Sequence, residues 1–157
     1  ALTPIATTRA LAVLANGGKL IQPHLIKKIR YANQEEVSPA ITPARQVIKP
    51  ETSQTITNML VKVVDEALLG GQAKLDRFTI AAKTGTAQTS RQGQGGYSED
   101  RYLHSFFGYF PAYQARFLVF LFVVNPQNSR YASGTMTKPF SEITKFLLNY
   151  YQVPPDR

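Results

Sequence analysis

The chain has 157 residues, of which 43% are hydrophobic and 18% are charged, and this composition is typical of one globular domain and excludes a disordered protein. The net charge of +8 comes from scattered basic residues, and only Lys27, Lys28 and Arg30 cluster, so we expect no nucleic acid partner. The absence of cysteine excludes disulfides, zinc–thiolate sites and thiol catalysis. The longest apolar run, residues 117–124, is far shorter than the roughly 20 residues of a membrane-spanning helix.

The first third of the chain carries signals for a helix followed by extended structure. Thr3 and Pro4 are typical of an N-cap and a first helical position, and the run Asn16-Gly17-Gly18 is typical of a helix end. We therefore predict a helix between these signals. Residues 19–37 are predicted to be extended, with a turn at residues 32–34, and a proline-containing loop follows.

Two further helices are predicted from apolar residues at helical spacing. The second helix is predicted over residues 51–68, and two glycines then end it. Its apolar positions are Ile56, Met59, Leu60, Val63 and Val64. The closing helix is predicted over residues 138–151, before the tail at residues 153–157. Its predicted apolar face consists of Phe140, Ile143, Phe146, Leu147 and Tyr150.

Three strands are predicted over residues 78–86, 103–110 and 117–125, so the expected fold class is α/β in the loose sense (α+β), an antiparallel sheet flanked by helices. A polar, glycine-rich loop at residues 90–100 should join the first two strands, and a tight turn at residues 111–114 the last two. The third strand is apolar at nearly every position, so both of its faces should be covered and both edges paired. Only one neighbouring strand is evident, and we expect the other from polypeptide outside this chain.

The end of the first predicted strand places one cation among small residues, Lys83, Thr84, Gly85 and Thr86. Side chains alternate along a strand, so Lys83 and Gly85 should share one face, and the threonines the other unless the strand bulges. An ammonium and two hydroxyls beside a glycine suit a carboxylate, on a peptide that adds to the strand edge. A backbone N–H at the strand end could also face a developing oxyanion. Taken alone, these residues also fit an ordinary strand with a solvated lysine and a glycine bulge.

Several blocks of sequence resemble, in order, the C-terminal part of the transpeptidase domain of class B penicillin-binding proteins. Lys83-Thr84-Gly85 matches the third signature of penicillin-recognising serine enzymes, beside Ser-x-x-Lys and Ser-x-Asn. The blocks cover nearly the whole chain, and they are LTPIATTRALAVLANGGKLIQPHLI, AAKTGTAQ, HSFFGYFPA, FLVFLFVVNPQ and KPFSEITKFLLNYYQVPPD. The tail and Thr84 are similar to the septal, cell-division branch of that family.

The chain departs from the family pattern because it contains neither Ser-x-x-Lys nor Ser-x-Asn. Residues 135–138, Thr-Met-Thr-Lys, have the first spacing but start with threonine and precede the last helix. We therefore expect the nucleophilic serine, the general-base lysine and the missing strand to lie upstream. Residues 1–157 are predicted to be the C-terminal portion of a single transpeptidase domain, and the upstream half of that domain is its expected partner.

The resemblance implies a penicillin-binding, serine β-lactamase-like fold and a serine D,D-transpeptidase that is inactive without the upstream half. Such enzymes cross-link peptidoglycan stem peptides that end in D-Ala-D-Ala, and β-lactams acylate the same serine. The resemblance assigns catalytic roles to Lys83 and Thr86, and substrate binding to Lys83, Thr84, Gly85 and Thr86. It implies no cofactor and no metal.

The resemblance also implies a location in the bacterial envelope, at the periplasmic face of the cytoplasmic membrane, with the anchor outside this chain. Divisome membrane proteins are then further partners. Two alternatives stay open, a non-catalytic penicillin-fold binding or sensor module and a D,D-carboxypeptidase or β-lactamase relative. The upstream sequence discriminates among them, since Ser-x-x-Lys there favours an enzyme.

Other side chains receive more ordinary interpretations. His104 and His24 are predicted to be structural rather than catalytic. Tyr97 and its loop either border the cleft and select acyl acceptors or form a solvated hairpin. The aromatic residues expected in the core are Phe106, Phe107, Tyr109 and Phe110.

Overall fold

The computed structural model describes residues 2–91, 93, 95–127 and 129–157. The elements in chain order are α1 (Pro4–Ala15), β1 (Lys19–Leu20), β2 (Ile29–Arg30), β3 (Glu36–Val37), β4 (Arg45–Gln46), α2 (Pro50–Lys62), a π-helical turn (Val63–Ala67), β5 (Ala81–Ser90), β6 (Tyr97–Phe110), β7 (Phe117–Val124) and α3 (Ala132–Tyr150). Thr3 caps α1 as predicted, because its Oγ1 accepts a hydrogen bond from Ala6 N at 3.3 Å. None of the helices in the described ranges is long and apolar enough to cross a bilayer.

The main sheet is antiparallel and has the strand order β5-β6-β7. Its register sets Lys83 opposite Phe107 and sets Phe107 opposite Phe120. β1 pairs with β4, and β2 with β3, in two small ladders outside this sheet. Among the residues that the structure describes, β5 and β7 are therefore the two edges of the main sheet.

Helices cover both faces of the sheet and define two apolar clusters. On one face α3 packs against β5 and β6, and Phe140 stacks on Phe106 with ring centroids 4.3 Å apart. On the other face α1 and α2 cover a cluster that contains Leu60, Ala81 and Tyr109. The expected helix-flanked antiparallel sheet is confirmed, and most of the aromatic core prediction holds, since Phe106, Tyr109 and Phe110 are buried.

The predicted strand boundaries are wrong at β5 and at the start of β6. β5 begins at Ala81 rather than at residue 78, because the backbone of Thr79 bonds outside the ladder. Thr79 N donates to Asp156 Oδ1 at 2.7 Å, and Thr79 O accepts from Ala112 N at 3.0 Å. At the other end Ser90 pairs with Tyr97, so the hairpin is longer and the loop at 90–100 is shorter than predicted. Part of that predicted loop, Gln92 and Gln94, lies outside the described residues.

The predicted apolar face of α3 is partly wrong. Phe140 is buried, but Phe146 and Tyr150 are 62% and 69% exposed. The buried stripe instead includes Met136, Phe140, Thr144 and Leu148. Apolar residues occur on two faces of α3. The face that packs on the sheet is the one in which Thr144 stands in place of an aliphatic residue.

The predicted core face of α2 is also partly wrong, because Met59 is 62% exposed and two polar residues are buried. Ser53 Oγ donates to Leu14 O at 2.8 Å, which ties α2 to α1. Thr57 Oγ1 and Tyr109 OH are 2.8 Å apart, which ties α2 to β6. The hydroxyls of Ser53 and Thr57 both have hydrogen-bond partners, so these two positions tolerate burial.

Candidate active site

The four residues from Lys83 to Thr86 lie together in a regular part of β5, on the edge of the sheet that β6 does not occupy. Ala81 packs in the cluster beneath α1 and α2, whereas Ala82 packs beneath α3. By strand alternation, Lys83 and Gly85 are on the α1–α2 face, and Thr84 and Thr86 are on the α3 face. The four predicted site residues therefore flank one free strand edge from its two faces.

Lys83 is an exposed cation at this edge. Its Nζ donates a hydrogen bond to the carbonyl oxygen of Thr84 at 2.9 Å. None of the ion pairs in the described part of the chain includes Lys83. The ammonium therefore has donors to offer to an anion from solvent.

Gly85 permits a close contact across the hairpin. Ser105 is its partner on β6, and Ser105 Oγ lies 3.5 Å from Gly85 O. A Cβ built on Gly85 would lie only 2.6 Å from Ser105 Oγ. Because Gly85 has no side chain, the face of β5 that carries Lys83 has no bulk at this position, between Thr84 and Thr86 in the sequence.

Thr86 contacts the first turn of α3. Its Oγ1 accepts a hydrogen bond from Ala132 N at 3.0 Å. Ala132 N is one of the amides at the start of α3 that has no partner within the helix, so Thr86 caps it from outside. Because the amide occupies one lone pair of Oγ1, the hydroxyl proton of Thr86 is directed elsewhere.

The contacts between β6 and the start of α3, beside Thr86, were not predicted from the sequence, although a structural role was predicted for His104. His104 is opposite Thr86 in the register and is completely buried. Its two ring nitrogens lie 2.9 Å from Thr135 Oγ1 and 3.1 Å from Arg130 O. Residues 103–110 were predicted as a strand, so the hairpin register alone could have placed His104 beside Thr86, but the contact with α3 required the tertiary structure.

The remaining candidates lie apart from this cluster. Tyr97 is 66% exposed and begins β6, and its role at a cleft stays a prediction. His24 is exposed in the segment between β1 and β2. In the described residues, no group of three or more His, Asp or Glu side chains could hold a metal ion.

The comparison with known protein families matches residues 1–145 to the penicillin binding protein transpeptidase domain. Stage V sporulation protein D of Bacillus subtilis is 32% identical over 142 residues, which are 88% of this chain and 21% of that protein. The peptidoglycan D,D-transpeptidase FtsI homolog of Mesostigma viride is 27% identical over 99% of this chain and 28% of its own length. The chain thus spans between a fifth and a third of the length of these two relatives.

The fold agrees with solved structures of the same family. Penicillin binding protein 3 of Mycobacterium tuberculosis superposes with a TM-score of 0.85 at 26% identity, covering 99% of this chain and 37% of that chain. That protein has been solved without ligand and in complexes with aztreonam and with ampicillin. The family match covers most of the residues of this chain, and its fold agrees with these solved structures. The chain therefore belongs to the penicillin binding protein transpeptidase domain family.

Proposed function

We propose that this chain supplies the carboxylate-binding strand of a serine D,D-transpeptidase that cross-links peptidoglycan stem peptides in septal cell wall synthesis. The observation that carries the proposal is the free edge of β5, where two hydroxyls flank Gly85 beside an ammonium that has no carboxylate partner among the described residues. The proposal is also supported by the name of the Mesostigma viride relative, a peptidoglycan D,D-transpeptidase. The complexes of the Mycobacterium tuberculosis protein with aztreonam and with ampicillin support β-lactam binding.

The ligand carboxylate is bound from both faces of the strand. Lys83 supplies the positive charge, and the hydroxyls of Thr84 and Thr86 supply directed donors. A peptide that ends in D-Ala-D-Ala lies along the free edge of β5 and pairs with its backbone. Gly85 adds no side chain at the point where that backbone approaches.

The reaction needs a serine that this chain does not contain, because no Ser-x-x-Lys occurs in its sequence. That serine Oγ attacks the carbonyl carbon of the penultimate D-alanine, the C–N bond breaks, and D-alanine leaves with the proton. An amine from a second stem peptide then attacks the ester, forms the cross-link and restores the serine. The backbone N–H of Thr86 donates to the oxyanion of both tetrahedral intermediates, together with the N–H of the serine.

The chain acts as the C-terminal portion of one transpeptidase domain whose upstream half carries the nucleophile. β7 supports this arrangement, because it is an apolar strand with β6 on only one side within the described residues. A long apolar edge strand favours pairing with another strand. One part of the upstream half therefore pairs with β7, and another part places its serine near Thr86, beside the opposite edge of the sheet.

The assembled enzyme works in the bacterial cell envelope at the periplasmic face of the cytoplasmic membrane, with divisome membrane proteins as partners. The competing candidates are a penicillin-fold sensor without turnover and a D,D-carboxypeptidase or β-lactamase relative. A sensor would be labelled stoichiometrically by a penicillin or would not be labelled at all. In both cases it would release no D-alanine. A carboxypeptidase would release D-alanine without forming cross-links.

Labelling with a fluorescent penicillin tests the proposal. Residues 1–157 alone should not be labelled, and a mixture of this chain with the upstream half should be labelled on the upstream half. Digestion and mass spectrometry of the labelled complex would locate the acylated serine.

The same experiment on the Lys83→Met variant tests the role of Lys83 in the strand, because methionine keeps most of the length of the side chain and removes the charge. Its labelling should be slower at the same protein concentration. Covalent labelling of residues 1–157 in isolation, or labelling that does not respond to this change, would contradict the proposal.

A further inference from the structure

His104 is a buried imidazole to which the proposed chemistry gives no task. Its side chain is 0% exposed, and both ring nitrogens have partners. Arg130 O is a carbonyl oxygen and can only accept, so Nε2 carries a proton and donates to it. Nδ1 shares the second hydrogen bond with Thr135 Oγ1.

These two bonds hold the segment that leads into α3. Arg130 and Thr135 lie on either side of Ala132, whose N–H donates to Thr86 Oγ1 at 3.0 Å. Thr135 Oγ1 also lies 3.3 Å from Ala132 O, within the same turn. His104 therefore joins β6 to the turn that contacts Thr86, and it does so from the position directly opposite Thr86 in the sheet.

The Ala132 amide determines where the Thr86 hydroxyl proton can point. A threonine hydroxyl has one proton and two lone pairs, and an N–H that occupies one lone pair confines the proton to the remaining directions. With the amide on the α3 side, the proton is turned away from α3 and is free to be donated to a ligand at the strand edge. If the turn shifted, Thr86 Oγ1 would lose this N–H donor, and its own proton would no longer be confined to the strand edge.

We propose that His104 is a positioning residue, which orients the Thr86 hydroxyl for the ligand carboxylate by holding the Arg130–Thr135 turn against β5 and β6. The proposal rests on the proposed function, because it assumes that Thr86 donates to that carboxylate. It assigns a role to a histidine that does not touch the ligand and does not transfer a proton.

A double-mutant cycle tests this role in the complete protein, with the second-order rate constant of acylation by ampicillin as the readout. His104→Leu removes both ring hydrogen bonds, and Thr86→Val removes the hydroxyl while keeping the shape of the side chain. Each single change should lower the rate constant roughly 10-fold, the effect of losing one hydrogen bond to a charged group. The double variant should be no slower than Thr86→Val, and His104→Gln, which can still donate to Arg130 O, should recover part of the loss.

Tyr109→Phe is the matched control, because Tyr109 is equally buried on the same strand and bonds to Thr57 on the opposite face of the sheet. It should leave the rate constant unchanged. If His104→Leu fails to fold, Thr135→Val removes one of the two bonds from the helix side, and its loss should likewise vanish in the Thr86→Val background.

A His104→Leu or Thr135→Val loss that persists in full beside Thr86→Val would overturn the positioning role and leave the proposed function standing. An unchanged rate constant of acylation in both His104→Leu and Thr135→Val would also overturn the positioning role. A wild-type protein that ampicillin does not acylate would overturn the proposed function, and the role of His104 with it.

Discussion

At the scale of single residues, what the free edge of β5 can bind depends on which of its side chains already have hydrogen-bond partners. Among the residues that the structure describes, Lys83 bonds only to the carbonyl of its own neighbour Thr84, whereas Thr86 has one lone pair filled by Ala132 N. An exposed cation with unused donors gains a charge-assisted bond when a carboxylate arrives, and it loses only a contact with a neutral carbonyl. The site is therefore prepared for an anion without a buried charge in the free protein.

Gly85 gives a prediction about the hairpin itself. We expect Gly85→Ala to lower the free energy of unfolding by about 1–3 kcal/mol, because the new Cβ overlaps Ser105 Oγ. Chemical denaturation of the purified protein measures this cost. Adding Ser105→Ala should recover most of the loss, while Ser105→Ala alone should be close to neutral. A Gly85→Ala variant as stable as the wild type would show that the contact is not tight.

At the scale of elements, buried hydroxyls connect α2 to the sheet and to α1. Thr57 on α2 bonds to Tyr109 on β6, and Ser53 bonds to the end of α1. Burial raises the pKa of Tyr109 above its ordinary value of 10.0, and this outweighs the hydrogen bond with Thr57, which lowers it. The neutral phenol is thus favoured in the folded protein.

This shift predicts how stability depends on pH. Because the folded pKa lies above the unfolded one, the stabilisation from neutral Tyr109 is fully present below pH 10.0 and is lost as pH rises through the folded pKa. Tyr109→Phe should cost about 0.5–1.5 kcal/mol at pH 8, where the Thr57 bond is lost, and this cost should shrink above pH 10. Unfolding free energies measured from pH 8 to pH 11 check this.

Tyr31→Phe is the control for that series, because Tyr31 is 51% exposed. Its unfolding free energy should follow that of the wild type at each pH. A difference between wild type and Tyr109→Phe that stays constant across pH 10 would contradict the linkage to Tyr109.

The elements also show what the sequence could predict. α1 was predicted with its cap and its end, because Thr3, Pro4 and the glycines act locally. The face of α3 was mispredicted, since Phe146 and Phe140 have the same chemical character and only packing on the sheet distinguishes them. The site strand was located by its motif, whereas the contact between His104 and Arg130 joins residues 26 positions apart and depends on how the chain folds back.

At the scale of the whole molecule, the C-terminal tail closes the structure on the segment before β5. Arg157 forms a bidentate ion pair with Asp65 at 2.6 and 3.0 Å, and the hydrogen bonds from Asp65 raise the pKa of Arg157. Asp156 accepts from Thr79 N and Thr79 Oγ1, just ahead of the site strand. The tail thus holds both the π-helical turn and the segment that leads into β5.

The proposed recognition of a carboxylate by Lys83 is tested most directly by comparing acylation by a penicillin with acylation by its methyl ester. In the complete protein, the free acid should acylate at least about 10-fold faster than the ester, because a charge-assisted hydrogen bond is lost with the charge. Lys83→Met should remove most of this preference, and Lys138→Met, a change at an exposed lysine on α3, should preserve it. Equal rates for acid and ester in the wild type, or a preference that survives Lys83→Met intact, would contradict the account.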